Sequence, residues 1–353
     1  MKPIYQTAVM RLSICSILLL LLTTCHSGVP VETTTPISPT PPTEDRSGLS
    51  PEANTTLRSL EKLHDYPFYV MHYYGEYYYP RIGSTLPEAT DFSCSLFAAL
   101  GEAGDMFYGR NFDWEFSPAL LLFTDPPDGF ASVSMVDLTF LGISPAASRT
   151  LTDLPLMERT ALLTAPSMPF DGMNEYGLTI AMAAVPEEFM DDASYALSKP
   201  TIGSIGIIRQ ILDHAQDVDE AIEIFEQFNI DFGGGPPIHY LIADPGGKAV
   251  LIEFYQGEMI QLINEAPWHL ATNHLRCIAD GDGGCPRYRT ISVRLTELNG
   301  QLDPQAAMAL LSEVKQGMTQ WSSVYDMTSG DLRVVLAGRY DTIFSFHLDR
   351  LHP

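Results

Sequence analysis

The chain has 353 residues, of which 45% are hydrophobic and 18% are charged, so it can bury a substantial core in one large domain or two small ones. Its net charge of −24 argues against nucleic-acid binding, because phosphates need a basic surface, and against docking on anionic lipid. The charge instead indicates an acidic, well-solvated surface that aids solubility.

The first 25 residues have the pattern of an export signal. Lys2 and Arg11 are the only early charges, and the apolar run 12–22 is too short for a comfortable membrane span. The run leads into Leu-Leu-Thr-Thr-Cys, which resembles a bacterial lipoprotein cleavage box ending at Cys25. We therefore predict an exported protein that is either extracellular or anchored by a lipid on Cys25 at the outer face of a membrane.

Residues 26–56 are rich in Thr, Pro and Ser. Such a stretch buries too little apolar surface to offset its ordering entropy, so we predict a disordered linker with the folded part beginning near Leu57. A short helix is expected at 56–64, and a tyrosine-rich strand at 68–79.

The next segment predicts a β-hairpin that carries reactive side chains. Residues 94–100 are typical of a buried strand and residues 106–113 of its return strand, joined by a glycine-containing turn. The hairpin would bring Arg110 and Asp113 beside Cys94, so that the thiol lies with a guanidinium and a carboxylate, as a nucleophilic cysteine requires. The alternatives are that Cys94 is a small core residue and that Arg110 and Asp113 form only a buried ion pair.

The remaining elements alternate between groups of strands and pairs of helices. Strands are expected at 119–123, 131–140, 174–184 (after a turn), 238–243, 249–255, 259–263, 269–272, 320–325, 332–337 and 342–347. Helices are expected at 154–163, 202–214, 218–228, 287–298 and 304–315. Asp217 and Asp303 are the predicted N-caps of the third and fifth of these helices. This order fits an α+β fold with two sheets stacked between helical layers.

Cys277 and Cys285 flank a loop rich in Gly and Asp. In an exported protein two such cysteines can pair, so a disulfide is expected here, with free thiols as the alternative.

Several motifs carry a family resemblance. They are Cys94, Gly-Arg-Asn-Phe-Asp at 109–113, Asp-Gly-Met-Asn-Glu-Tyr-Gly-Leu at 171–178, Leu-Ala-Thr-Asn at 270–273 and Pro-Arg-Tyr at 286–288. Together they resemble the choloylglycine hydrolase and penicillin V acylase group of N-terminal-nucleophile (Ntn) hydrolases. The acid ceramidase, N-acylethanolamine amidase and isopenicillin N acyltransferase branches share this scheme.

The resemblance covers residues 94–347 and implies a four-layer αββα sandwich of two mostly antiparallel sheets between helical layers. It implies that Cys94 is the nucleophile, with Arg110 favouring the thiolate and Asp113 orienting the α-amino group. No cofactor and no metal is expected.

The same resemblance implies that Asn273 donates to the oxyanion and that Arg287 supplies supporting charge and geometry. The second oxyanion donor falls near Ala184, where only the backbone N–H could serve. Asn273 could instead cap a strand end, and Arg287 could be purely structural. His269 and His274 leave a cysteine–histidine dyad open, although no motif places either beside the nucleophile.

The resembling precursors lose a propeptide just before the cysteine. We therefore interpret residues 57–93 as a propeptide and residues 94–353 as the catalytic domain. Cleavage would free an α-amino group, which titrates near 7.7–8.0 and can act as the base, whereas the amide that follows Ser93 cannot. The stretch 66–79 would fill the cleft before cleavage and stay bound as a separate subunit, as the acid ceramidase branch implies, or it would form an aromatic ligand groove.

These interpretations predict an exported amidohydrolase that cleaves a linear carbon–nitrogen amide bond through a thioester acyl-enzyme. An acyltransferase on the same scaffold and a non-catalytic surface binding module stay open. The expected partners are a small N-acyl amide with an apolar acyl group and the chain's own propeptide. Bile-acid conjugates, penicillin V, N-acyl-homoserine lactones and fatty-acid amides all fit, and a homo-oligomer stays open.

Overall fold

The computed structural model describes residues 48–77, 93–101, 105–186, 196, 198–233 and 235–349. All of them belong to one compact unit, which runs from Arg46 to Pro353. The predicted export signal, most of the predicted linker and the segment 78–92 lie outside the described residues. Within the described ranges, no helix has both the length and the apolar character to span a membrane.

The described residues form strands and helices that we number in chain order. The strands are β1 Glu61–His64, β2 Phe68–Tyr73, β3 Ser95–Ala99, β4 Phe107–Asp113, β5 Ala119–Thr124, β6 Ser132–Asp137, β7 Asp171–Asn174, β8 Thr179–Ala184, β9 Thr201–Gly203, β10 Asn229–Asp231, β11 Ile238–Ala243, β12 Ala249–Tyr255, β13 Glu258–Ile263, β14 Trp268–Ala271, β15 Thr319–Asp326, β16 Asp331–Leu336 and β17 Phe344–His347. The α-helices are α1 Pro51–Arg58, α2 Gly206–His214, α3 Val218–Gln227, α4 Pro286–Glu297 and α5 Pro304–Glu313. Short 3₁₀ segments cover Leu138–Leu141, Ala147–Arg149, Leu151–Asp153 and Leu156–Ser167.

Two large sheets dominate the fold. The nine-stranded sheet has the order β1-β2-β5-β6-β7-β8-β11-β12-β13, and the six-stranded sheet has the order β14-β3-β4-β15-β16-β17. Among the described strands of these sheets, neighbours are antiparallel except for β2 and β5, which are parallel. The predicted pair of mostly antiparallel sheets is therefore confirmed.

Helices cover the outer face of each sheet. Helix α2 packs on β7 and β8 and α3 on β11, whereas α4 packs on β3 and β14 and α5 on β4 and β15. Strand β3 is buried on both faces, because Leu96 and Ala98 lie in the core between the sheets while Phe97 and Ala99 pack in the core beneath α4 and α5. The predicted αββα sandwich is the observed α+β fold.

The predicted helix at 56–64 is wrong in its position. Helix α1 begins at Pro51 and ends at Arg58, and the chain then forms β1. The Ser50 hydroxyl accepts the Ala53 N–H, and Pro51 is favoured at the first helical position, so the helix starts inside the predicted linker. The ordered part of the chain therefore begins before Leu57.

Most other predicted elements lie within a few residues of the observed ones. Asp217 and Asp303 accept backbone N–H groups at the starts of α3 and α5, as predicted. The predicted helix at 202–214 begins only at Gly206, because Thr201–Gly203 pairs with β10 as a short parallel strand. The predicted helix at 154–163 is the 3₁₀ segment Leu156–Ser167.

Strand β2 belongs to the core although it precedes the predicted cleavage site. It lies between β1 and β5, and Phe68, Tyr69 and Met71 are fully buried. The Tyr69 hydroxyl donates to the Ser148 carbonyl at 2.7 Å. The described part of the segment 57–93 is thus an integral strand pair of the nine-stranded sheet.

We predict that truncating β2 destabilises the whole domain. Phe68→Ala should lower the free energy of unfolding by about 3–5 kcal/mol, since it removes a buried ring that contacts Phe344 at a centroid distance of 5.2 Å. Urea denaturation measures this change. Tyr74→Ala is the matched control, because Tyr74 is 46% exposed and should cost about 0.5 kcal/mol or less. Equal costs at the two positions would contradict the core role of β2.

Candidate active site

The β3–β4 hairpin forms as predicted and positions Cys94. Ser95 pairs with Asn111 and Ala99 with Phe107, so the register continues to place Cys94 opposite Phe112. The Ser93 N–H donates to the Asp113 carbonyl at 3.2 Å, which holds the residue before Cys94 against the end of β4. Cys94 is 2% exposed. Residues 102–104 of the predicted glycine-containing turn lie outside the described residues.

The Cys94 thiol is held in its protonated form in the uncut chain. Burial raises its pKa, Arg110 opposes that shift, and Asp113 adds to it, with a weaker opposing effect from Arg287. The net direction is upward, because desolvation of a thiolate outweighs the nearby positive charges. Burial and charge alone therefore do not activate this thiol, and a base is needed.

Arg110 is held by the carboxylate of Asp171. Its Nη1 atom lies 2.6 Å from Asp171 Oδ2, and both side chains are fully buried. Nη1 also donates to the Phe170 carbonyl, while Nε and Nη2 have no oxygen acceptor among the described residues, and the guanidinium lies beside the Cys94 thiol. The alternative of an Arg110–Asp113 ion pair is therefore corrected, since the ion pair joins Arg110 to Asp171.

Asp171 was not predicted as a site residue, although it opens the motif at 171–178. Its Oδ2 atom also accepts the Trp321 Nε1–H at 3.2 Å. Its Oδ1 atom accepts the hydroxyls of Tyr325 and, at 3.4 Å, Ser323. The signal in the sequence was the motif itself, but the partners lie on β15, about 150 residues away along the chain.

Asp113 lies at the end of β4 with one oxygen bonded and one free. The Thr319 hydroxyl donates to Oδ1, and Oδ2 has no partner among the described residues. Burial raises the pKa of this carboxyl to about 7, and the opposing effects of the Thr319 hydroxyl, Arg287 and Arg110 only limit the rise. Asp113 is therefore poised to exchange a proton near neutral pH.

Asn273 and Arg287 converge on Cys94 from two other elements. Asn273 follows β14, whose antiparallel register with β3 leads it toward Cys94. Arg287, in the first turn of α4, donates from Nη1 to the Cys94 carbonyl and to Ser95 Oγ at 3.0 Å, and from Nη2 to Asn273 Oδ1 at 3.0 Å. The predicted residues Cys94, Asn273 and Arg287 thus form one bonded cluster.

Ala184 ends β8 on the opposite sheet and touches the same cluster. Asn273 Nδ2 donates to the Ala184 carbonyl at 2.7 Å. The Val185 N–H donates to Pro237, so by the alternation of an antiparallel pair the Ala184 N–H and C=O are directed away from β11, toward Asn273. The backbone N–H of Ala184 therefore lies on the same side as the amide of Asn273, as the predicted oxyanion pair requires.

Among the described residues, neither His269 nor His274 has a hydrogen bond to Cys94. His269 lies opposite Ala98 in the β14–β3 register, and its Nε2 atom bonds the Leu262 carbonyl at 2.8 Å. His274 Nδ1 bonds Thr272 Oγ1 at 3.1 Å. These bonds leave the cysteine–histidine alternative without geometric support.

The expected disulfide between Cys277 and Cys285 is not formed, and both thiols are free. Cys277 lies beside Glu253, whose hydrogen bond and charge add to burial in raising the pKa of its thiol to about 12. A thiol of such high pKa is a poor partner for oxidation. Within the described part of the chain, no cluster of three or more His, Cys, Asp or Glu side chains could hold a metal ion.

Comparison with known proteins places this site in a family. A family model described as acyl-coenzyme A:6-aminopenicillanic acid acyl-transferase matches residues 149–336, just over half of the chain. The chain belongs to this family. The predicted relationship to the choloylglycine hydrolase and penicillin V acylase group of Ntn hydrolases is confirmed.

Solved structures support the fold of this acyl-transferase family member. A cysteine-to-alanine mutant of the conjugated bile acid hydrolase from Clostridium perfringens has a TM-score of 0.53 and 17% identity, and the match covers 72% of this chain and 92% of that chain. An arginine-to-leucine variant of the same enzyme has a TM-score of 0.51, with the same identity and coverage. A penicillin V acylase from Agrobacterium tumefaciens has a TM-score of 0.48 and 16% identity, covering 73% of this chain and 87% of that chain.

The family match begins after the β3–β4 hairpin. It includes Asp171, Ala184, Asn273 and Arg287, but not Cys94 or its neighbours on β4. The roles of the hairpin residues in this family member therefore rest on the contacts described above.

The raised pKa of Asp113 predicts a pH-dependent stability. Because the folded state holds this proton more tightly than the unfolded state, the contribution is fully present below about pH 4 and is lost as the pH rises through about 7. In the uncut Cys94→Ala chain, Asp113→Asn should therefore raise the free energy of unfolding by about 4 kcal/mol at pH 8 and change it little at pH 4. Urea denaturation at both pH values measures this. The exposed Asp65→Asn should show no such difference, and a loss of stability at pH 8 for Asp113→Asn would contradict the assignment.

The buried ion pair predicts a second effect. Asp171→Asn leaves the Arg110 guanidinium buried without a counter-charge, so the free energy of unfolding should fall by about 3–5 kcal/mol. Denaturation of the uncut chain is the measurement. The matched control is Asp219→Asn, which breaks the exposed pair with Lys248 and should cost less than about 1 kcal/mol. Similar small costs for both variants would show that Asp171 does not carry the charge of Arg110.

Proposed function

We propose that this protein is an N-terminal-cysteine amidohydrolase that cleaves the linear carbon–nitrogen amide bond of an N-acyl substrate. The observation that carries the proposal is that five polar groups converge just before the first residue of β3. They are the Cys94 thiol, the guanidinium groups of two arginines, a carboxyl of pKa about 7 and the side-chain amide of an asparagine. Hydrophobic packing does not explain why so many polar groups are buried together, because burying each of them costs free energy. The two bile acid hydrolase variants are altered at a cysteine and at an arginine sixteen positions later, which is the spacing from Cys94 to Arg110.

The proposal requires removal of the residues before Cys94. In the uncut chain the nitrogen of Cys94 is an amide and cannot take a proton from the thiol. Once freed, it becomes an amine that titrates near neutrality, and the unpartnered Oδ2 atom of Asp113 is available to orient it. The same amine then accepts the thiol proton and later returns it to the leaving group.

The reaction follows from these groups. The Cys94 sulfur attacks the substrate carbonyl, and the negative charge moves to the carbonyl oxygen. Asn273 Nδ2 and the Ala184 N–H donate to that oxygen, and loss of one such donor typically costs 100- to 1,000-fold in rate. The carbon–nitrogen bond breaks as the amine leaves with a proton, which leaves a thioester on Cys94. Water attacks the thioester, and the acid is released with the thiol restored.

Acyl transfer is a second candidate, because the matched family carries the name of an acyl-transferase. The two reactions share every step up to the thioester and differ in whether water or an amine attacks it. We propose hydrolysis as the main reaction and an apolar acyl group as the recognised part of the substrate, since Cys94 belongs to a core of aromatic and aliphatic side chains.

We further propose that the segment before Cys94 stays bound after cleavage and that the chain is exported. Retention is supported by the burial of β2 and by Tyr77, whose hydroxyl donates to Asp213 on α2 at 2.8 Å. Export is supported by the sequence pattern of residues 1–25, which leaves secretion and a lipid on Cys25 as the two routes.

Intact mass and an amide screen test this function together. The purified protein should contain a fragment that begins at Cys94 and has 260 residues, together with the retained upstream fragment, while Cys94→Ala should remain uncut. The screen uses p-nitroanilides of linear acyl chains, penicillin V, a bile-acid conjugate and an N-acyl-homoserine lactone, each with and without an added amine acceptor. An uncut chain with full amidase activity, or a cut chain that hydrolyses no amide, would overturn the proposal.

A further inference from the structure

A buried histidine–carboxylate pair lies next to the site and has no part in the mechanism described above. His239 on β11 and Glu253 on β12 are fully buried, and His239 Nδ1 lies 3.0 Å from Glu253 Oε1. Neither side chain contacts Cys94, Arg110 or Asp113 through any hydrogen bond described for them. A polar pair at this place needs a reason, because burying polar side chains costs free energy that apolar side chains of the same size do not cost.

The hydrogen-bond partners of the pair are all fixed groups of the protein. His239 Nε2 lies 2.7 Å from the Thr272 carbonyl. Glu253 accepts the backbone N–H groups of Arg276 and Cys277, each at 2.8 Å, and lies 3.0 Å from His239 Nδ1. Burial by itself would raise the pKa of Glu253, but the hydrogen bond and charge of His239 and the two N–H groups lower it overall.

These bonds hold the chain on both sides of Asn273. The Thr272 carbonyl belongs to the peptide bond that leads into Asn273, and the N–H groups of Arg276 and Cys277 lie in the turn that follows it. The segment 272–277 is therefore attached at three backbone groups to one buried pair.

The pair also connects the two sheets where the oxyanion donors meet. Asn273 follows β14 of the six-stranded sheet, while Ala184 ends β8 of the nine-stranded sheet. His239 is the register partner of Ala183, the residue before Ala184. A single side chain thus lies one residue from the first donor and bonds the peptide that carries the second.

We propose that His239 and Glu253 are positioning residues that set the distance between the Ala184 N–H and the Asn273 amide. This inference rests on the proposed function, because it concerns the oxyanion site of the same reaction. Two donors on different sheets stabilise a developing oxyanion only if their separation is held to a fraction of an ångström. The 2.7 Å hydrogen bond between His239 and the Thr272 carbonyl supplies that constraint together with the two backbone N–H bonds to the Glu253 carboxylate, since bonds to a carboxylate are shorter and stronger than neutral ones.

The test compares four variants of the mature, cleaved protein. His239→Leu removes the bond to Thr272, His239→Gln keeps a neutral N–H donor, and Glu253→Gln removes the negative charge. His269→Gln is the matched control. His269 lies on β14 and also bonds a backbone carbonyl, but that carbonyl belongs to Leu262 on β13 and not to the segment that holds Asn273. The substrate is the acyl p-nitroanilide that the wild-type protein hydrolyses fastest, and the probe is the aldehyde with the same acyl chain.

The expected result separates positioning from general damage. His239→Leu should lower kcat by about 100-fold with KM within about threefold, and His239→Gln should recover at least about tenfold of that loss. The Cys94 sulfur adds to the aldehyde carbon and forms a hemithioacetal. The thiol proton passes to the carbonyl oxygen, or it stays on the α-amino group and the oxygen remains an oxyanion in the same site. Its affinity should therefore fall in proportion to kcat/KM. Alkylation of Cys94 by iodoacetamide and the kinetics of His269→Gln should stay within about threefold of wild type.

Three outcomes would overturn the inference without touching the proposed function. In the first, the wild type is active and the His239→Leu variant keeps its kcat. In the second, the variant is impaired only in KM. In the third, the variant loses kcat but binds the aldehyde as tightly as the wild type. If His239→Leu does not fold or remains uncut, the comparison of His239→Gln and Glu253→Gln with wild type decides, with about a tenfold loss of kcat expected for each. A wild type that is cut before Cys94 but hydrolyses no amide would instead remove the proposed function itself.

Discussion

The ion pair between Arg110 and Asp171 is the interaction on which the rest of the site depends. Arg110 projects from β4 of the six-stranded sheet and Asp171 from β7 of the nine-stranded sheet, so their contact joins the two halves of the sandwich at its centre. Two charges removed from water are stable there only because Trp321, Tyr325 and Ser323 complete the shell of the carboxylate. The other two guanidinium nitrogen atoms have no oxygen acceptor among the described residues, and the guanidinium lies beside the thiol.

Burial favours stabilisation of an oxyanion in this site and opposes deprotonation of the thiol. It strengthens each hydrogen bond that the site can offer to a developing oxyanion, because the local dielectric is low. It also raises the pKa values of Cys94 and Asp113 and so keeps the thiol protonated. A buried thiol of this kind needs a base inside the same dry space. The proposed α-amino group on residue 94 would supply a base there without any rearrangement of the fold.

The described residues 48–77, which precede Cys94, are part of the folded core. Strand β2 is the parallel neighbour of β5, and its side chains fill the same core that the catalytic part fills. Cutting the chain before Cys94 would break one peptide bond without removing any of that packing. If the chain is cut as proposed, the pairing of β2 in the nine-stranded sheet would keep the upstream residues associated.

The sequence by itself determined the elements whose signals are local. The β3–β4 hairpin follows from two apolar runs around a glycine-containing turn, and α3 and α5 follow from Asp217 and Asp303 at their N-caps. The motifs at 171–178, 270–273 and 286–288 could also be recognised in the sequence, because the residues that form each motif are adjacent in the chain. Tertiary structure alone decided the partners of these motifs. Asp171 bonds a guanidinium 61 positions away, and His239 bonds a carbonyl 33 positions away. Contacts of that range depend on how two sheets face each other, and neither hydrophobic period nor turn chemistry encodes that geometry.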